Sequence, residues 1–162
     1  MLIRPAAPHE LAAVGELTVA AYAADGYLEG TDDYSDELGD ATRRAELATL
    51  LVAVDDATGR LLGTATFCLN GTPYAEVSAP GEAEFRMLAV AADARGQGVG
   101  AALVQDCIER ARAAGSTAVA LCSLKTMTPA HRIYERMGFV RAPGRDWEPH
   151  PGLTLVAYLL PL

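Results

Sequence analysis

The sequence of 162 residues contains only three cysteines, one lysine and one tryptophan, and it has no long uninterrupted apolar run. No apolar stretch approaches the roughly 20 residues that a transmembrane helix needs. The first residues also lack the basic segment and apolar core of a secretory signal peptide. Cys68, Cys107 and Cys122 show neither metal-ligand nor redox spacing. We therefore expect a cytoplasmic protein that holds no metal and does not bind a membrane.

An excess of basic residues is also missing, since the formal net charge is −8 at pH 7. This argues against a nucleic-acid partner, because phosphate backbones require a basic surface. The charge is unevenly distributed: residues 1–85 carry 15 acidic and 4 basic side chains, whereas residues 86–162 carry 6 acidic and 9 basic ones. Two interpretations remain open, a solvated acidic face or a site whose second half holds an anion while the first half attracts a cation.

Hydrophobic periodicity and turn residues predict the element order β-α-α-β-β-β-α-β-α-β-β. Two apolar runs around an Asp/Gly turn, within residues 50–69, predict an antiparallel hairpin. The strand at 83–90 leads into a glycine-rich turn and a helix, and a second helix opens at Thr128 with proline at its first position. No internal repeat or interdomain linker is visible, so we expect a single domain over residues 1–162.

The glycine-rich turn lies in "DARGQGVGAAL", residues 93–103, where Arg95 is followed by Gly96, Gly98 and Gly100. Glycine at this density is unfavourable inside a helix, and a helix start prefers Ser, Thr, Asp or Asn. A strand, a bare turn and a helix together form an anion site, because free backbone N–H groups and the positive end of the helix dipole point at the turn. The turn therefore indicates a bound anionic group.

Three phosphate-binding patterns compete for this turn. The P-loop pattern is absent, because alanines follow Gly100 where it requires lysine and then serine or threonine. The dinucleotide pattern G-x-G-x-x-G/A is formally satisfied, but the next strand ends in "CSL" where an acidic residue is needed. The third pattern, R-x-x-G-x-G, is filled by Arg95, Gly98 and Gly100 directly after "FRMLAV". We favour this third pattern.

With these residues the sequence resembles the GNAT family, the GCN5-related N-acetyltransferases that use acetyl-CoA. The resemblance covers nearly the whole chain, from "IRPA" through "LAVAADARGQGVGAAL" to the second motif "AHRIYERMGF". It implies the GNAT fold of the α/β (α+β) class, a single domain with a mixed, strongly twisted sheet and about four flanking helices. It also implies that pantetheine runs beside the strand ending at Val90 and that the CoA pyrophosphate binds the turn. The implied cofactor contacts are Leu88, Ala89, Val90, Arg95, Gly96, Gln97, Gly98, Val99, Gly100 and Ala101.

The second motif implies that Tyr134 is the catalytic acid, with its hydroxyl near the CoA sulfur. Ala130, Ile133, Gly138 and Phe139 fill the remaining motif positions. The alternative is a tyrosine that only packs in the core, as aromatic side chains on helices usually do. Many relatives carry asparagine where this chain has methionine at position 127, which removes one polar contact that the family commonly makes to the cofactor arm or to a water.

Glu84 is the candidate general base, because the histone-acetylating branch of the family keeps a catalytic glutamate six residues before the position of Val90. The alternatives are a water chain as the base and a glutamate that is simply paired with Arg86. Because successive side chains of a strand point to opposite faces, Glu84, Arg86, Leu88 and Val90 should share one face, unless a β-bulge shifts the pattern. A backbone N–H near Leu88 to Val90 would hold the oxyanion. A covalent route through Cys122 is disfavoured, because no histidine has a spacing that would pair with it.

In this family the first two helices, their loop and the C-terminal strands shape the acceptor site. Eight acidic and two basic residues lie between Asp25 and Glu46, and Tyr27 and Tyr34 lie in the same stretch. Carboxylates and aromatic rings suit a cationic amine, whereas a solvated surface loop is the alternative interpretation. Trp147 is the third candidate contact, either capping the pocket or stapling the last hairpin.

The sequence thus predicts an acetyl-CoA-dependent N-acetyltransferase that moves the acetyl group directly to a primary amine of a small molecule. Two alternatives stay open: a protein lysine or N-terminal amine as acceptor, and a non-catalytic acyl-CoA-binding sensor module. The expected partners are acetyl-CoA and the amine, and a homodimer is compatible with the sequence.

Overall fold

The computed structural model describes residues 1–28 and 32–162, and the side chains of Asp32 and Asp33 are not described. Five α-helices are present in this part of the chain: α1 (Leu11–Ala24), α2 (Asp32–Gly39), α3 (Ala41–Leu47), α4 (Val99–Ala113) and α5 (Thr128–Arg136). Eight strands accompany them: β1 (Leu2–Pro5), β2 (Thr49–Val54), β3 (Leu61–Leu69), β4 (Ala83–Val90), β5 (Ala118–Leu124), β6 (Val140–Arg141), β7 (Trp147–His150) and β8 (Leu153–Pro161).

The prediction of a mixed α/β fold is confirmed, and the sheet is open and mostly antiparallel. Two elements differ from the predicted order. Helix α2 forms where the sequence indicated an acidic loop, so the described residues hold five helices and not four. Strand β7 forms within the stretch that was expected to be a loop before the last strand.

The chain divides into two compact units, and the first comprises Met1–Phe67 and Met87–Asp106. Its strands β1, β2 and β3 pair in antiparallel fashion, with Ile3 opposite Ala53 and Leu51 opposite Ala65. The predicted hairpin is therefore present. The core of this unit contains apolar side chains from α1, α3 and β2: Val14, Ala41, Leu50, Val52 and Val54.

A fully buried arginine holds the helices of the first unit to its sheet. The guanidinium of Arg44, in α3, donates to the hydroxyls of Thr18 and Thr66, both at 3.2 Å. It also donates to the carbonyl oxygen of Leu38, in α2, at 2.7 Å. Because a buried charge is costly unless it is hydrogen-bonded, these bonds fix α1, α2, α3 and β3 to one another.

The second unit comprises Cys68–Arg86 and Cys107–Leu162. Strands β5 and β8 pair in antiparallel fashion over seven positions, from Ala118 opposite Pro161 to Leu124 opposite Leu155. The first residues of β4 pair with β5 in parallel, and β8 also pairs with β6 and β7. Within the described residues, no helix is both long and apolar enough to cross a membrane.

Candidate functional site

The glycine-rich turn of the first unit connects β4 to α4. Gly96 and Gly98 have φ angles of +75° and +80°, in the left-handed region that favours glycine. No atom lies within 4 Å of the position that a Cβ would occupy at either residue. The backbone of the turn is therefore open on its outer side, as the sequence predicts for a group that must approach closely.

The start of α4 supplies backbone donors to this turn. The N–H of Ala102 donates to the carbonyl oxygen of Gly98 at 3.0 Å, which is the helical i→i−4 pattern. The N–H groups of Val99, Gly100 and Ala101 precede this bond, and helix geometry gives such groups no acceptor within the helix. The side chain of Gln97 donates to the carbonyl oxygen of Asp93 at 3.1 Å and braces the turn. The arrangement is suited to an anion.

Arg95 is held by a carboxylate that the sequence analysis did not connect with it. Its two terminal nitrogens donate to the two carboxylate oxygens of Asp25, at 3.0 and 2.9 Å. Asp25 directly follows α1 and lies 70 residues earlier in the chain. Arg60 forms a second ion pair at the turn, with Asp93 at 2.8 Å. Both arginines of this region are therefore paired with carboxylates.

A glycine in β3, which was not among the predicted site residues, sets how closely the surrounding elements pack. A Cβ at Gly63 would lie 2.8 Å from the carbonyl oxygen of Ala89 and 2.9 Å from a methyl group of Val99. Both residues are predicted cofactor contacts, one in β4 and one in α4. An isolated glycine inside a strand is a recognised signal of close backbone approach, so the sequence did contain the clue.

The backbone of β4 is irregular at Met87, whose φ is +56°. This value is unusual for a residue other than glycine. Leu88 and Val90 are half-buried beyond this point, while Ala89 is buried. Glu84 and Phe85, before it, are both fully buried. Burial still alternates from Phe85 to Val90, and Glu84 is fully buried, so the common face for Glu84 and Val90 stays a prediction.

Tyr134 belongs to a group of aromatic side chains in the second unit. Its ring centroid lies 5.8 Å from those of Phe85 and Tyr158 and 5.9 Å from that of Phe139. The side chain is buried, and this burial raises the pKa of the Tyr134 hydroxyl. The hydroxyl therefore keeps its proton at neutral pH and can act as a hydrogen-bond donor.

Glu84 is buried with a complete set of backbone partners. Its carboxylate accepts hydrogen bonds from the N–H groups of Glu76, at 2.9 Å, Val77, at 3.1 Å, and Ser78, at 3.0 Å. The side chain has no exposed surface. The carboxylate thus gathers three successive amides of the loop before β4, which is an anchoring geometry.

Two further ion pairs hold the same loop. Glu82 accepts from the N–H of Ala79 at 2.8 Å and from both terminal nitrogens of Arg145, at 2.6 and 3.0 Å. Arg86 pairs with Glu76, and its guanidinium carbon lies 5.8 Å from the centroid of the Tyr74 ring. These contacts depend on the folded loop, so no local sequence pattern indicated them.

The thiol of Cys122 does not have the properties of a nucleophile. Its pKa is raised to about 12, first by burial and then by the negative charge of Glu76. A thiol with this pKa is protonated at neutral pH, whereas the thiolate is the reactive form. The ring of His131 contacts the neighbouring Ser123, with 3.0 Å between Nε2 and Oγ. The structure therefore also disfavours a covalent route through this cysteine.

The candidate acceptor contacts lie on different elements. Tyr27 and Tyr34 each pack edge-on against Tyr22, with ring centroids 6.2 Å apart. Trp147 is half-buried in β7 of the second unit, opposite Leu155 of β8. Glu29, in the acidic stretch, lies outside the described residues. Among residues 1–28 and 32–162, no group of three or more His, Cys, Asp or Glu side chains could hold a metal ion.

Comparison with known proteins matches residues 13–139 to the Acetyltransferase (GNAT) family. A Schizosaccharomyces pombe protein described as an uncharacterized N-acetyltransferase is 33% identical over 90 residues, which are 56% of this chain and half of that protein's length. A GCN5-related N-acetyltransferase from Kribbella flavida superposes with a TM-score of 0.71 at 28% identity, covering 99% of this chain and 97% of the other. A GNAT family acetyltransferase from Brucella melitensis, solved in complex with acetyl-CoA, gives a TM-score of 0.63 at 25% identity over 86% of this chain and 82% of the other.

Proposed function

The chain belongs to the GNAT family of acetyltransferases, and on this basis we propose that it transfers the acetyl group of acetyl-CoA directly to a primary amine of a small molecule. The observation that carries the proposal is the open turn from Arg95 to Gly100. A pyrophosphate needs several donors at once, and backbone N–H groups supply them only where no side chain blocks the approach. The left-handed glycines of this turn meet that need.

The same reasoning assigns the cofactor contacts. The turn and the first amides of α4 would hold the pyrophosphate, and β4 up to Val90 would lie along the pantetheine arm. The proposed contacts are those implied by the family motif: Leu88, Ala89, Val90, Arg95, Gly96, Gln97, Gly98, Val99, Gly100 and Ala101. Support comes from the Brucella melitensis relative, which was solved with acetyl-CoA. We also propose that residues 1–162 act as one N-acetyltransferase domain, since the Kribbella flavida structure matches nearly all of the chain.

We propose that the hydroxyl of Tyr134 stabilises the thiolate of CoA as it departs. A thiol has a pKa near about 8.5 and leaves readily, so it needs modest assistance. Because burial raises the pKa of Tyr134 above that of a free tyrosine, the hydroxyl would stabilise the thiolate by donating a hydrogen bond. Complete proton transfer from such a weak acid to a thiolate is unfavourable. A backbone N–H near Leu88 to Val90 would hold the oxyanion of the tetrahedral intermediate.

The amine must lose a proton before it attacks, because an alkylammonium has a pKa near about 10.4. Glu84 stays a prediction for this role, but its geometry supports anchoring instead. Its carboxylate is fully buried, and it already accepts three backbone hydrogen bonds. We therefore propose that the proton leaves through water, the alternative that the family also uses.

Release of free thiol from acetyl-CoA tests the proposed function. The full chain would be assayed with polyamines, aminoglycosides, amino acids and peptides as acceptors. We expect thiol release with at least one small amine. Release with peptides alone would replace the small molecule by a protein acceptor. Binding of acetyl-CoA without release for any acceptor would favour a sensor module.

Tyr134→Phe is expected to lower kcat about 100-fold, because the departing thiolate loses a hydrogen bond to a charged group worth about 3 kcal/mol, while the KM for acetyl-CoA changes less than about twofold. The phenylalanine keeps the ring contacts with Phe85 and Phe139 and removes only the hydroxyl. Steady-state kinetics on the acceptor identified above would measure both constants. Tyr158→Phe, in the same aromatic group, serves as the control and should retain its turnover. Unchanged turnover of the Tyr134 variant would rule out its role as hydrogen-bond donor to the departing thiolate.

A further inference from the structure

The contact between Arg95 and Asp25 occupies the group that the phosphate turn presents to an anion. Both terminal nitrogens of the guanidinium donate to both carboxylate oxygens, at 3.0 and 2.9 Å. This parallel, two-bond geometry is also the way in which arginine binds a phosphate. One edge of the guanidinium cannot serve a carboxylate and a phosphate at the same time.

The ion pair between Asp25 and Arg95 is weak enough for a bound phosphate to replace Asp25. The Arg95 side chain is 43% exposed and that of Asp25 is 34% exposed, so water and salt weaken their attraction. A pyrophosphate on the turn would bring more negative charge, and it would be held by the amides of α4 as well. Once it is bound, the nearby carboxylate is a like charge that favours separation.

The end of α1 connects this ion pair to the tyrosines of the same unit. The pKa of Tyr27 is raised by burial and by the charge of Asp25, while the charge of Arg95 lowers it. Tyr27 therefore lies within electrostatic range of both Asp25 and Arg95. Its ring packs against Tyr22, which in turn packs against Tyr34. Tyr27 and Tyr34, which the sequence indicated as acceptor contacts, thus belong to one ring cluster, in which Tyr27 lies two residues after Asp25.

We propose that Asp25 competes with the phosphates of CoA for Arg95, so that cofactor binding releases the end of α1. Asp25 then lowers the affinity for CoA through its pairing with Arg95 and links the phosphate turn to the segment that carries Tyr27. This inference rests on the proposed function, because it requires the CoA pyrophosphate to bind the turn.

Titration calorimetry with CoA tests the competition on the full chain. We expect Asp25→Asn to raise the affinity for CoA about three- to fivefold, in keeping with the loss of an exposed ion pair. Asp93→Asn is the matched control, because Asp93 forms an exposed ion pair with Arg60 at the same turn and the change in charge is identical. This control should change the affinity less than about twofold.

Three further measurements separate competition from a general charge effect. Pantetheine lacks the phosphates, so its affinity should be the same for the wild type and Asp25→Asn. In hydrogen exchange, the segment after α1 should exchange faster when CoA binds to the wild type, and should already exchange faster in Asp25→Asn without CoA. The double variant Asp25→Asn with Arg95→Gln should bind CoA no better than Arg95→Gln alone.

Several results would overturn the proposal. Weaker CoA binding by Asp25→Asn would mean that the carboxylate orients Arg95 and does not compete. Equal effects of Asp25→Asn and Asp93→Asn, or a gain that persists with pantetheine, would reduce the effect to net charge. If Gly98→Glu bound CoA as well as the wild type, the phosphate turn itself would be wrong, and the competition would fall with it.

Discussion

Gly98→Glu should abolish CoA binding, with a loss of affinity of at least about 100-fold, or roughly 3 kcal/mol. Two effects add at this position. The backbone has a φ of +80°, which a side chain makes unfavourable. The new carboxylate would also extend into the open space that the pyrophosphate is proposed to occupy, where it repels an anion. Titration calorimetry with CoA measures the loss.

Gly115→Glu is the matched control for this prediction. Gly115 follows α4, has a φ of +74°, and likewise has no atom within 4 Å of a Cβ position. The two variants therefore share the backbone strain and the added charge, and they differ only in location. We expect similar melting temperatures for both and CoA binding only for Gly115→Glu. If both variants bound CoA, the turn would not be the phosphate site.

Glu84→Gln should destabilise the fold by about 2–3 kcal/mol, the usual cost of leaving buried partners of a charged group unsatisfied. The carboxylate accepts from three successive amides, whereas a glutamine would turn an NH₂ group toward some of these donors. Urea unfolding measures the free-energy difference. Glu16→Gln, at an exposed position of α1, removes the same charge and should leave stability nearly unchanged.

Kinetics of the same variant distinguish an anchor from a base. If Glu84 anchors the loop, the variant should keep the pH dependence of kcat/KM that the wild type shows, at temperatures where it is folded. A general base would behave differently, since its loss would lower turnover by about 100-fold or more and remove the limb of the profile that it controls. That outcome, together with unchanged stability, would restore the catalytic role of Glu84.

The motifs of this chain could be predicted from sequence because each of them is local. The strand, the glycine turn and the start of α4 are consecutive, and so are the residues of the Tyr134 motif. Helix α2 could not be predicted in this way. Its sequence is short, acidic and polar, and of its described side chains only Leu38 is buried. Its support is tertiary: a Cβ at Gly15 in α1 would lie 2.3 Å from the carbonyl oxygen of Gly39, so only glycine allows the two helices to approach.

The surroundings of the candidate site could not be predicted for a related reason. The Asp25–Arg95 pair joins residues 70 positions apart, and nothing near either residue indicates the other. The amides around Glu84 converge only because the loop folds back onto its own strand. Strand β7 contains Pro149 and is followed by Pro151, and two prolines so close together indicate a loop in the sequence. Proline is nevertheless tolerated in a strand at the edge of a sheet.

Arg44 has a consequence for how this protein could be redesigned. Its bonds to Thr18, Thr66 and the Leu38 carbonyl hold α2 from the inside, and none of them involves the outer side chains of that helix. Exposed positions such as Asp36 can therefore be varied without disturbing the support of the helix. Lysine could not replace Arg44, because one ammonium group does not reproduce the fixed fork of a guanidinium. A library that explores the proposed acceptor contacts would vary the outer face of α2 and keep this arginine constant.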